Sequence, residues 1–415
     1  MSIERFGKNI SKKKILIVTE CFYPEEFKIN DIAFSWKEKG YDVDVLTLFP
    51  TYPIGKVFNG YKNRIFYRET VKGVSVIRLR AITGYRDSLF KKILKYLNFM
   101  ILGSVVSIFI GRKYDYIFGF NMGALTSMMP AVITRKLYKK PLMFWSQDLW
   151  PDSVYAYGFR KSRLLSFLLN GLVKYIYQSA TSIAISSKGF KSKLFDYANS
   201  EVIFNYLPNW ADDIDMSVEP IILSNEDLIH ITFAGNIGKV QNLENIINAF
   251  CLLPEDLQAN AQLNIIGDGS NFSDLQLLAK NNNQIIFHGK KNRDDIAQYY
   301  KASDFLVVSL IDEPIFSVTV PAKTQTYIAA KKPILGIING DTADIIKDNN
   351  LGLCVNPSNI SGITEIFIKC IKMSPIERDS FTSNNDQLIK NVFNKEKIIN
   401  MLLKILTNKS KNSNI

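Results

Sequence analysis

The sequence predicts an α/β fold of two doubly wound, Rossmann-like domains that face each other across a cleft. Short runs rich in β-branched and aromatic residues alternate with longer amphipathic stretches, which is typical of parallel strands joined by helical crossovers. The alternation stops at a polar, acidic break at about residues 212–225 and then starts again. A chain of 415 residues is long enough for two such domains, each with its own core.

The expected strands follow in order along the chain. The first set comprises 15–20, 43–48, 74–79, 116–120, 142–146, 182–185 and 202–205. The second set comprises 231–235, 263–267, 285–289, 305–310, 333–338 and 352–356. We therefore predict an N-terminal domain over residues 1–210 and a C-terminal domain over 211–383. Residues 384–415 are expected to form a helix that packs back on the first domain, followed by a disordered tail.

The net charge of +12 is unevenly distributed. Residues 1–210 contain 32 Lys and Arg against 15 Asp and Glu, whereas residues 211–415 contain 19 against 24. This asymmetry favours an anionic partner for the first half, although a role in solubility alone is the alternative. Nucleic acid fits less well than a membrane or a phosphorylated substrate, because no nucleic-acid recognition motif is present.

Residues 88–113 place three lysines, Lys91, Lys92 and Lys95, before an apolar run over 96–110. This run is shorter than the roughly 20 apolar residues of a membrane-spanning helix. We expect membrane-surface contact at the basic start and a buried core helix in the second half.

The sequence lacks the motifs of metal sites, classical NAD-binding domains and P-loop ATPases. The only histidines, His230 and His288, stand apart from one another and from the four scattered cysteines, so the sequence predicts no metal site. The first predicted strand is not followed by G-x-G-x-x-G, and no P-loop motif is present. A classical NAD domain and a P-loop ATPase are therefore not supported.

Glycine-bearing turns follow two strands of the second domain. In FAGNIGKVQNLE (233–244), Gly235 and Gly238 allow backbone N–H groups to approach an anion, and Lys239 adds a charge. In IIGDGSNFSDLQ (265–276), Gly267 is expected to be mainly structural, at the edge of a cleft. Either turn alone is compatible with an ordinary strand-to-helix connection.

A third turn lies in FSVTVPAKTQTYIAAKKPIL (316–335). We read 316–320 as a β-rich run that ends at Pro321 and is followed by a helix. The first helical turn would cluster Lys323 with Thr324, Gln325 and Thr326, either as a plain helix start or as an anion site. Because the carboxyl ends of parallel strands meet at one edge of the sheet, the three turns together predict a diphosphate-containing ligand.

In the first domain, polar and aromatic residues follow three predicted strands. Asp148 and Asp152 flank Trp150 in SQDLWPDS and are candidates for sugar contacts or proton transfer. Other candidate acceptor-binding residues are Asn30 and Asp31, which capping of a helix explains equally well, and Tyr52 in a proline- and glycine-marked loop.

Taken together, these segments resemble the retaining glycosyltransferases of family four, which have the GT-B fold. The likeness is closest to the WbuB-like branch of N-acetyl-L-fucosamine transferases in O-antigen and capsule synthesis. It covers nearly the whole chain and rests on FYPEEFKIND, LTLFPTYPIGKVFNGYK, QDLWPDS, LPNW, FAGNIGKVQNLE, IIGDGS, YYKASDFLVVSL and VPAKTQTYIAAKKPIL, in this order.

The resemblance implies transfer of a sugar from a UDP-sugar co-substrate, with no other cofactor and no metal. It implies donor binding by the C-terminal domain and a polyprenyl-diphosphate-linked acceptor on the N-terminal domain, at the inner face of the cytoplasmic membrane. By position, Gly235, Asn236, Gly238, Lys239 and Lys323 would bind the donor diphosphate. Segment Phe316–Thr319 would line the donor sugar, and Asp148 would lie near the reacting sugar.

The sequence departs from the family pattern at its acidic residues. The two glutamates that the family carries would fall at Val318 and Thr326, and Glu313 is out of register. The basic residues of the donor turn are replaced by Asn236 and Gln241, and the histidine before Asp148 by Gln147. Two other functions therefore stay open: a UDP-sugar 2-epimerase of the same fold, and a non-catalytic nucleotide-sugar-binding scaffold.

Overall fold

The structure, a computed structural model, describes residues 12–85, 88–156, 159–223 and 227–408. The chain forms two compact units. Unit 1 contains the chain up to Ser186, Lys191–Leu207 and the residues from Ile399 onward, whereas unit 2 contains Ser187–Phe190 and Pro208–Ile398. The expected tail from residue 409 onward lies outside the described residues.

Unit 1 is built on an eight-stranded sheet with the strand order β3-β4-β2-β1-β5-β6-β7-β8. Its strands are β1 (Lys14–Val18), β2 (Asp42–Leu48), β3 (Phe66–Val71), β4 (Val74–Leu79), β5 (Tyr116–Asn121), β6 (Leu142–Ser146), β7 (Ser182–Ile185) and β8 (Ile203–Tyr206). All neighbouring strands pair in parallel except β3, which pairs antiparallel with β4. The central strands are apolar and buried on both faces, as a sheet covered by helices on both sides requires.

Among the described residues, six α-helices accompany this sheet: α1 (Lys28–Glu38), α2 (Leu89–Ile110), α3 (Met129–Tyr138), α4 (Asp152–Ala156), α5 (Arg163–Tyr177) and α6 (Phe190–Leu194). Helices α2, α3 and α5 connect β4 to β5, β5 to β6 and β6 to β7, so all three crossovers run in the same direction along the sheet. Because parallel crossovers are right-handed, these helices share one face, and α1 covers the other.

Unit 2 is built on a six-stranded parallel sheet with the order β11-β10-β9-β12-β13-β14. Its strands are β9 (Ile229–Ala234), β10 (Ala261–Ile266), β11 (Ile285–Gly289), β12 (Phe305–Ser309), β13 (Ile334–Ile337) and β14 (Gly352–Val355). Its helices are α7 (Leu243–Cys251), α8 (Glu255–Gln258), α9 (Phe272–Ala279), α10 (Arg293–Ala302), α11 (Pro314–Ser317), α12 (Ala322–Ala329), α13 (Asp341–Asp348), α14 (Ile360–Lys372), α15 (Pro375–Ser380) and α16 (Asn385–Asn391). This is the doubly wound strand order, which reverses direction between β9 and β12.

The last helix, α17 (Lys395–Thr407), begins in unit 2 and continues into unit 1. There the indole N–H of Trp36 on α1 donates to the carbonyl of Ile399 at 3.3 Å. The predicted α/β fold with two doubly wound parallel sheets is confirmed, and all thirteen predicted strands are present within about two residues of their expected bounds.

Two local predictions are wrong. Residues 316–320 do not form a β-rich run, because α11 ends at Ser317 and Pro321 caps α12 after a short connection. The second half of α2 is not a buried core helix, because Ile101, Val105 and Phe109 are exposed. One face of this helix packs on α3, and the opposite face carries apolar residues that the described structure does not cover.

Candidate functional site

The candidate donor site lies at the carboxyl edge of the unit 2 sheet, where the strand order reverses between β9 and β12. The turn after β9 and the turn after β10 are hydrogen-bonded to each other. Gly235 N–H donates to the carbonyl of Ile266, and Ile237 N–H donates to that of Asp268, both at 2.9 Å. The two turns therefore form one backbone unit at the position where doubly wound sheets bind ligands.

Gly267 fixes the distance between these turns. Its φ of +141° favours glycine, and a Cβ atom here would lie 1.8 Å from the carbonyl oxygen of Gly235. The expectation that Gly267 is mainly structural fits this contact. The carbonyl oxygen of Gly235, which a side chain at position 267 would displace, belongs to the candidate donor turn.

Replacing Gly267 with alanine should therefore displace the 235–238 turn. We expect a loss of roughly 2–4 kcal/mol in the free energy of unfolding and a loss of nucleotide binding. Denaturant unfolding measures the first effect and titration with UDP the second. Gly171→Ala on α5 is the control, because no atom lies within 4 Å of its Cβ position apart from its chain neighbours and the nearby backbone of its own helix, and alanine favours the helix. Equal stability of Gly267→Ala and wild type would contradict the predicted contact.

Lys323 is the most unusual residue of this edge. It lies in the first turn of α12, and its ammonium nitrogen is buried 3.8 Å from the centre of the Phe233 ring and 3.0 Å from the Cβ position of Gly235. Among the described residues, the nitrogen has no hydrogen-bond partner. Burial lowers the pKa of Lys323 to about 7. A buried ammonium with three unused donors, next to a glycine turn, is suited to receive an anion.

The rest of the donor turn is open on one side. Gly235, Asn236 and Lys239 are exposed, so their groups are accessible to a ligand. Gly238 N–H is already used, because it donates to the side-chain oxygen of Gln241 at 3.0 Å. Gln241 lies where the resemblance expects a basic residue, and its side chain instead accepts a hydrogen bond from the backbone of the same turn. Lys239 and Lys323 are thus the cations that the turn offers.

The three polar side chains that follow Lys323 are either buried or bonded within the protein. Thr324 and Gln325 are buried, and the Gln325 amide lies against the carbonyls of Pro321 and Ala322. Thr326 donates to the carboxylate of Asp212 at 3.1 Å. The resemblance expects a glutamate at position 326, and the structure brings the carboxylate of Asp212 to this place from another part of the chain. Asp212 has no sequence signal beyond its place in the acidic break.

Segment Phe316–Thr319, which was expected to line the donor sugar, is fixed by contacts with backbone atoms. Phe316 is buried, and the hydroxyl of Thr319 donates to the carbonyl of Ile315 at 2.8 Å. Gly340 packs against this segment, since a Cβ atom there would lie 1.8 Å from the carbonyl oxygen of Ser317. The segment therefore offers backbone groups and the exposed part of residues 317–320 rather than the Phe316 side chain.

In unit 1, Asp148 follows β6 at the carboxyl edge of the sheet. Its carboxylate accepts hydrogen bonds from the backbone N–H of Leu149 at 2.9 Å and from the hydroxyl of Ser153 at 3.1 Å. Burial raises the pKa of Asp148 to about 6, although these two hydrogen bonds oppose the shift. Trp150 is buried and packs edge-on against Tyr96, and Asp152 begins the short helix α4. Asp148 is thus placed to exchange a proton near neutral pH.

A buried ion pair near Asp148 was not foreseen from the sequence. Lys95 on α2 contacts the carboxylate of Glu20, which follows β1, at 2.8 Å, with both side chains largely buried. Burial lowers the pKa of Lys95, but Glu20, Cys21 and Tyr85 together raise it above its usual value. Burial, followed by the charge of Glu20, raises the pKa of the neighbouring Tyr96 to about 12. Glu20 and Lys95 are 75 positions apart in the chain, and no local motif predicts their contact.

The remaining acceptor candidates lie in the loops after β1 and β2. The Asn30 amide accepts from the N–H of Tyr23 at 3.0 Å and donates to the carbonyl of Glu25 at 2.7 Å, so it holds a loop together. It does not cap α1, whose N-cap is Phe27. Asp31 lies in the first turn of α1. Tyr52 is exposed, and its ring packs 5.3 Å from that of Phe27.

A cavity of about 480 Å³ lies beside these loops. Aromatic and charged residues line it: Phe49, Tyr61, Lys62, Arg64, Tyr67 and Glu69. The Phe49 and Tyr67 rings are stacked, with centres 6.2 Å apart. Sequence reasoning missed this feature because three of its residues lie at or beside β3, which was not predicted.

Comparisons with known proteins agree with this architecture. Residues 218–388 match the model of the family "Glycosyl transferases group 1". The probable glycosyltransferase WbjE of Pseudomonas aeruginosa is 25% identical over 226 residues, which cover 51% of this chain and 55% of the relative. The chain thus aligns with about half the length of this relative. Residues 218–388, which match the family model, contain the turns at Gly235 and Gly267 and the start of α12.

Solved structures resemble the whole chain. Sucrose-phosphate synthase from Thermosynechococcus elongatus has a TM-score of 0.72 at 15% identity, with 95% of this chain and 98% of that chain covered. HepE from Anabaena, solved with UDP and glucose, has a TM-score of 0.64 at 13% identity, with 95% and 99% covered. At these identities the likeness shows the fold, which is the predicted two-domain α/β GT-B fold.

Proposed function

We propose that the protein is a glycosyltransferase that moves a sugar from a UDP-sugar to a polyprenyl-diphosphate-linked saccharide in surface polysaccharide synthesis. The observation that carries this proposal is the buried, unpartnered ammonium of Lys323 beside Gly235, at the switch point of the unit 2 sheet. The match of residues 218–388 to "Glycosyl transferases group 1" supports glycosyl transfer as the reaction. An N-acetyl-aminodeoxy sugar such as N-acetyl-L-fucosamine is the donor sugar we would test first, on the basis of the resemblance.

In the proposed reaction, the bond between the sugar C1 and the UDP oxygen breaks while an acceptor hydroxyl oxygen bonds to C1. Negative charge gathers on the departing diphosphate, where Lys323, Lys239 and the backbone N–H of Asn236 would stabilise it. The hydroxyl proton would pass to Asp148, whose raised pKa suits proton transfer near neutral pH. Retention of configuration at C1 is part of the proposal through the resemblance alone.

The acceptor would bind unit 1, and the protein would act at the inner face of the cytoplasmic membrane. The excess of basic over acidic residues in the first half of the chain supports an acceptor that carries phosphate. Glu20, Lys95, Tyr96 and Asp148 form the polar cluster that such an acceptor would meet at the sheet edge.

Incubation with a panel of UDP-sugars, with and without a polyprenyl-diphosphate-linked saccharide, tests the proposal. We expect UDP release that depends on the acceptor, together with a new lipid-linked product detected by mass spectrometry. Interconversion of free sugar nucleotides would instead establish a UDP-sugar epimerase. Binding of donors in thermal-shift measurements, without turnover across the panel, would indicate a nucleotide-sugar-binding scaffold.

A further inference from the structure

Helix α2 carries a continuous apolar stripe on its outer face. Phe90, Leu94, Leu97, Ile101, Val105 and Ile108 recur at intervals of three and four residues and are all exposed. At 1.5 Å per residue, the stripe runs for roughly 27 Å. Phe109, which is 80% exposed, extends the stripe at its C-terminal end. Single exposed apolar residues are ordinary, but an aligned stripe of this length indicates a contact surface.

The inner face of the same helix is fixed to unit 1. A Cβ atom on Gly103 would lie 2.6 Å from the Pro130 ring, and one on Gly111, the C-cap of the helix, would lie 2.7 Å from the Tyr138 ring. At the other end of the helix, Lys95 forms its ion pair with Glu20. Phe90–Lys113 is long and apolar enough to cross a membrane by length and composition. Because its inner face is packed against unit 1 along its length, the helix offers its outer face for lateral contact instead.

A second apolar patch lies on the same side of the sheet. Leu164, Phe167 and Leu168 on α5 are exposed, with Phe167 at 75%. Helix α3 lies between the two apolar surfaces, since it packs on α2 and the ammonium of its Lys136 lies 4.5 Å from the Tyr175 ring centre of α5. The three helices form one layer on one face of the sheet, as their right-handed crossovers require.

The charge of this layer identifies the partner that fits it. Residues 88–195 contain sixteen lysines and arginines and only three carboxylates, Asp115, Asp148 and Asp152. Asp115 accepts from the backbone N–H of Lys14, and Asp148 accepts from Leu149 and Ser153, so the charges of both carboxylates are held by hydrogen bonds within the protein. An apolar surface framed by basic residues matches the interface of an anionic bilayer. Docking of a second copy would bring two basic surfaces together, which electrostatic repulsion opposes.

We propose that the outer faces of α2 and α5 form a surface that inserts into the headgroup region of anionic membranes, with α2 lying in the membrane plane. This inference deepens the proposed function, because it names the surface through which unit 1 would meet the membrane, although vesicle binding itself depends on no sugar or acceptor. One consequence does rest on that function: Lys95 and Tyr96 belong to the same helix, so docking would bring the acceptor edge of unit 1 close to the lipid headgroups.

Flotation of the full chain with vesicles tests this proposal. We expect binding to vesicles of phosphatidylcholine mixed with phosphatidylglycerol, weaker binding to phosphatidylcholine alone, and weakening by salt. The triple variant Ile101→Gln, Val105→Gln, Phe109→Gln should lose binding by at least about tenfold, because each side chain gives up apolar burial in the lipid. The matched control is Leu252→Gln, Leu277→Gln, Ile376→Gln, three exposed apolar residues of unit 2, which should bind like wild type.

Circular dichroism and thermal unfolding establish that both variants are folded. Equal binding of the two triple variants, or no binding by the wild type, would overturn the proposal. A wild-type dimer in sedimentation that becomes a monomer in the α2 variant, without vesicle binding, would assign the surface to a second copy instead. None of these outcomes depends on glycosyl transfer, so failure here and failure of the proposed activity are separable.

Discussion

Replacing Lys323 with methionine should weaken UDP binding strongly and, at neutral pH, stabilise the unliganded protein. The ammonium is buried over Phe233 without a hydrogen-bond partner among the described residues, so its charge costs free energy until an anion arrives. A charge-assisted hydrogen bond contributes roughly 1.5–3 kcal/mol. We therefore expect the dissociation constant for UDP to rise by about 10- to 100-fold. The free energy of unfolding should rise by roughly 1–3 kcal/mol, because an unsatisfied buried group is removed.

The lowered pKa of Lys323 gives these effects a pH dependence. Its folded-state pKa of about 7 lies below the ordinary value of about 10.4, so between these pH values the unfolded chain holds a proton that the folded protein lacks. Stability contributed by this group therefore rises with pH across that window. The gain in free energy of unfolding that Lys323→Met shows over the wild type should be largest below pH 7 and should vanish towards about pH 10.4.

Donor binding should show the opposite trend. A bound diphosphate favours the charged amine, so at about pH 8 binding of UDP should take up a proton, and affinity should fall as the pH rises above 7. Calorimetric titration in two buffers of different ionisation enthalpy measures this uptake. Lys280→Met, an exposed lysine of the same unit, is the control and should bind UDP with unchanged proton uptake. Undiminished affinity of Lys323→Met would contradict the diphosphate role.

The approach of Lys323 to Gly235 could be predicted from the sequence because it follows from the order of the strands. These residues are 88 positions apart, yet each follows a strand next to the switch point, and the carboxyl ends of parallel strands share an edge. The burial of the ammonium over Phe233 was not predictable in this way, because it depends on the side-chain packing of α12 against β9. Asp212 was missed for the same reason, since only the folded chain brings it to Thr326.

The misread elements have identifiable physical causes. Residues 316–320 are rich in β-branched and aromatic residues, but prolines at 314 and 321 confine them to a short helical turn and a connection. Strand β3 was not predicted because it is an exposed, antiparallel edge strand whose residues include Arg68 and Glu69. Helix α2 was assigned to the core from its composition, which cannot distinguish apolar residues that face the protein from those that face a partner.

Replacing Asp148 with asparagine should lower the turnover of the proposed transfer by about 10²- to 10⁴-fold, the range for loss of a general acid or base. Asparagine can still accept from the Leu149 N–H, so the fold should survive. The pKa of about 6 means that the carboxylate form is lost as the pH falls below 6. If Asp148 accepts the hydroxyl proton, kcat/KM of the wild type should decline below about pH 6, and this decline should be absent in Asp148→Asn.

Ser153→Ala distinguishes this role from a structural one. The Ser153 hydroxyl donates to Asp148 and helps to hold its pKa down, so removing it should raise that pKa and move the decline in kcat/KM to higher pH. A purely structural aspartate would leave the pH profile where it is. Asp196→Asn, an exposed carboxylate of the same unit, should match wild type in both rate and profile. An acid decline that persists in Asp148→Asn would assign the proton to another group, and Glu20, paired with Lys95 at the same sheet edge, would be the next residue to replace.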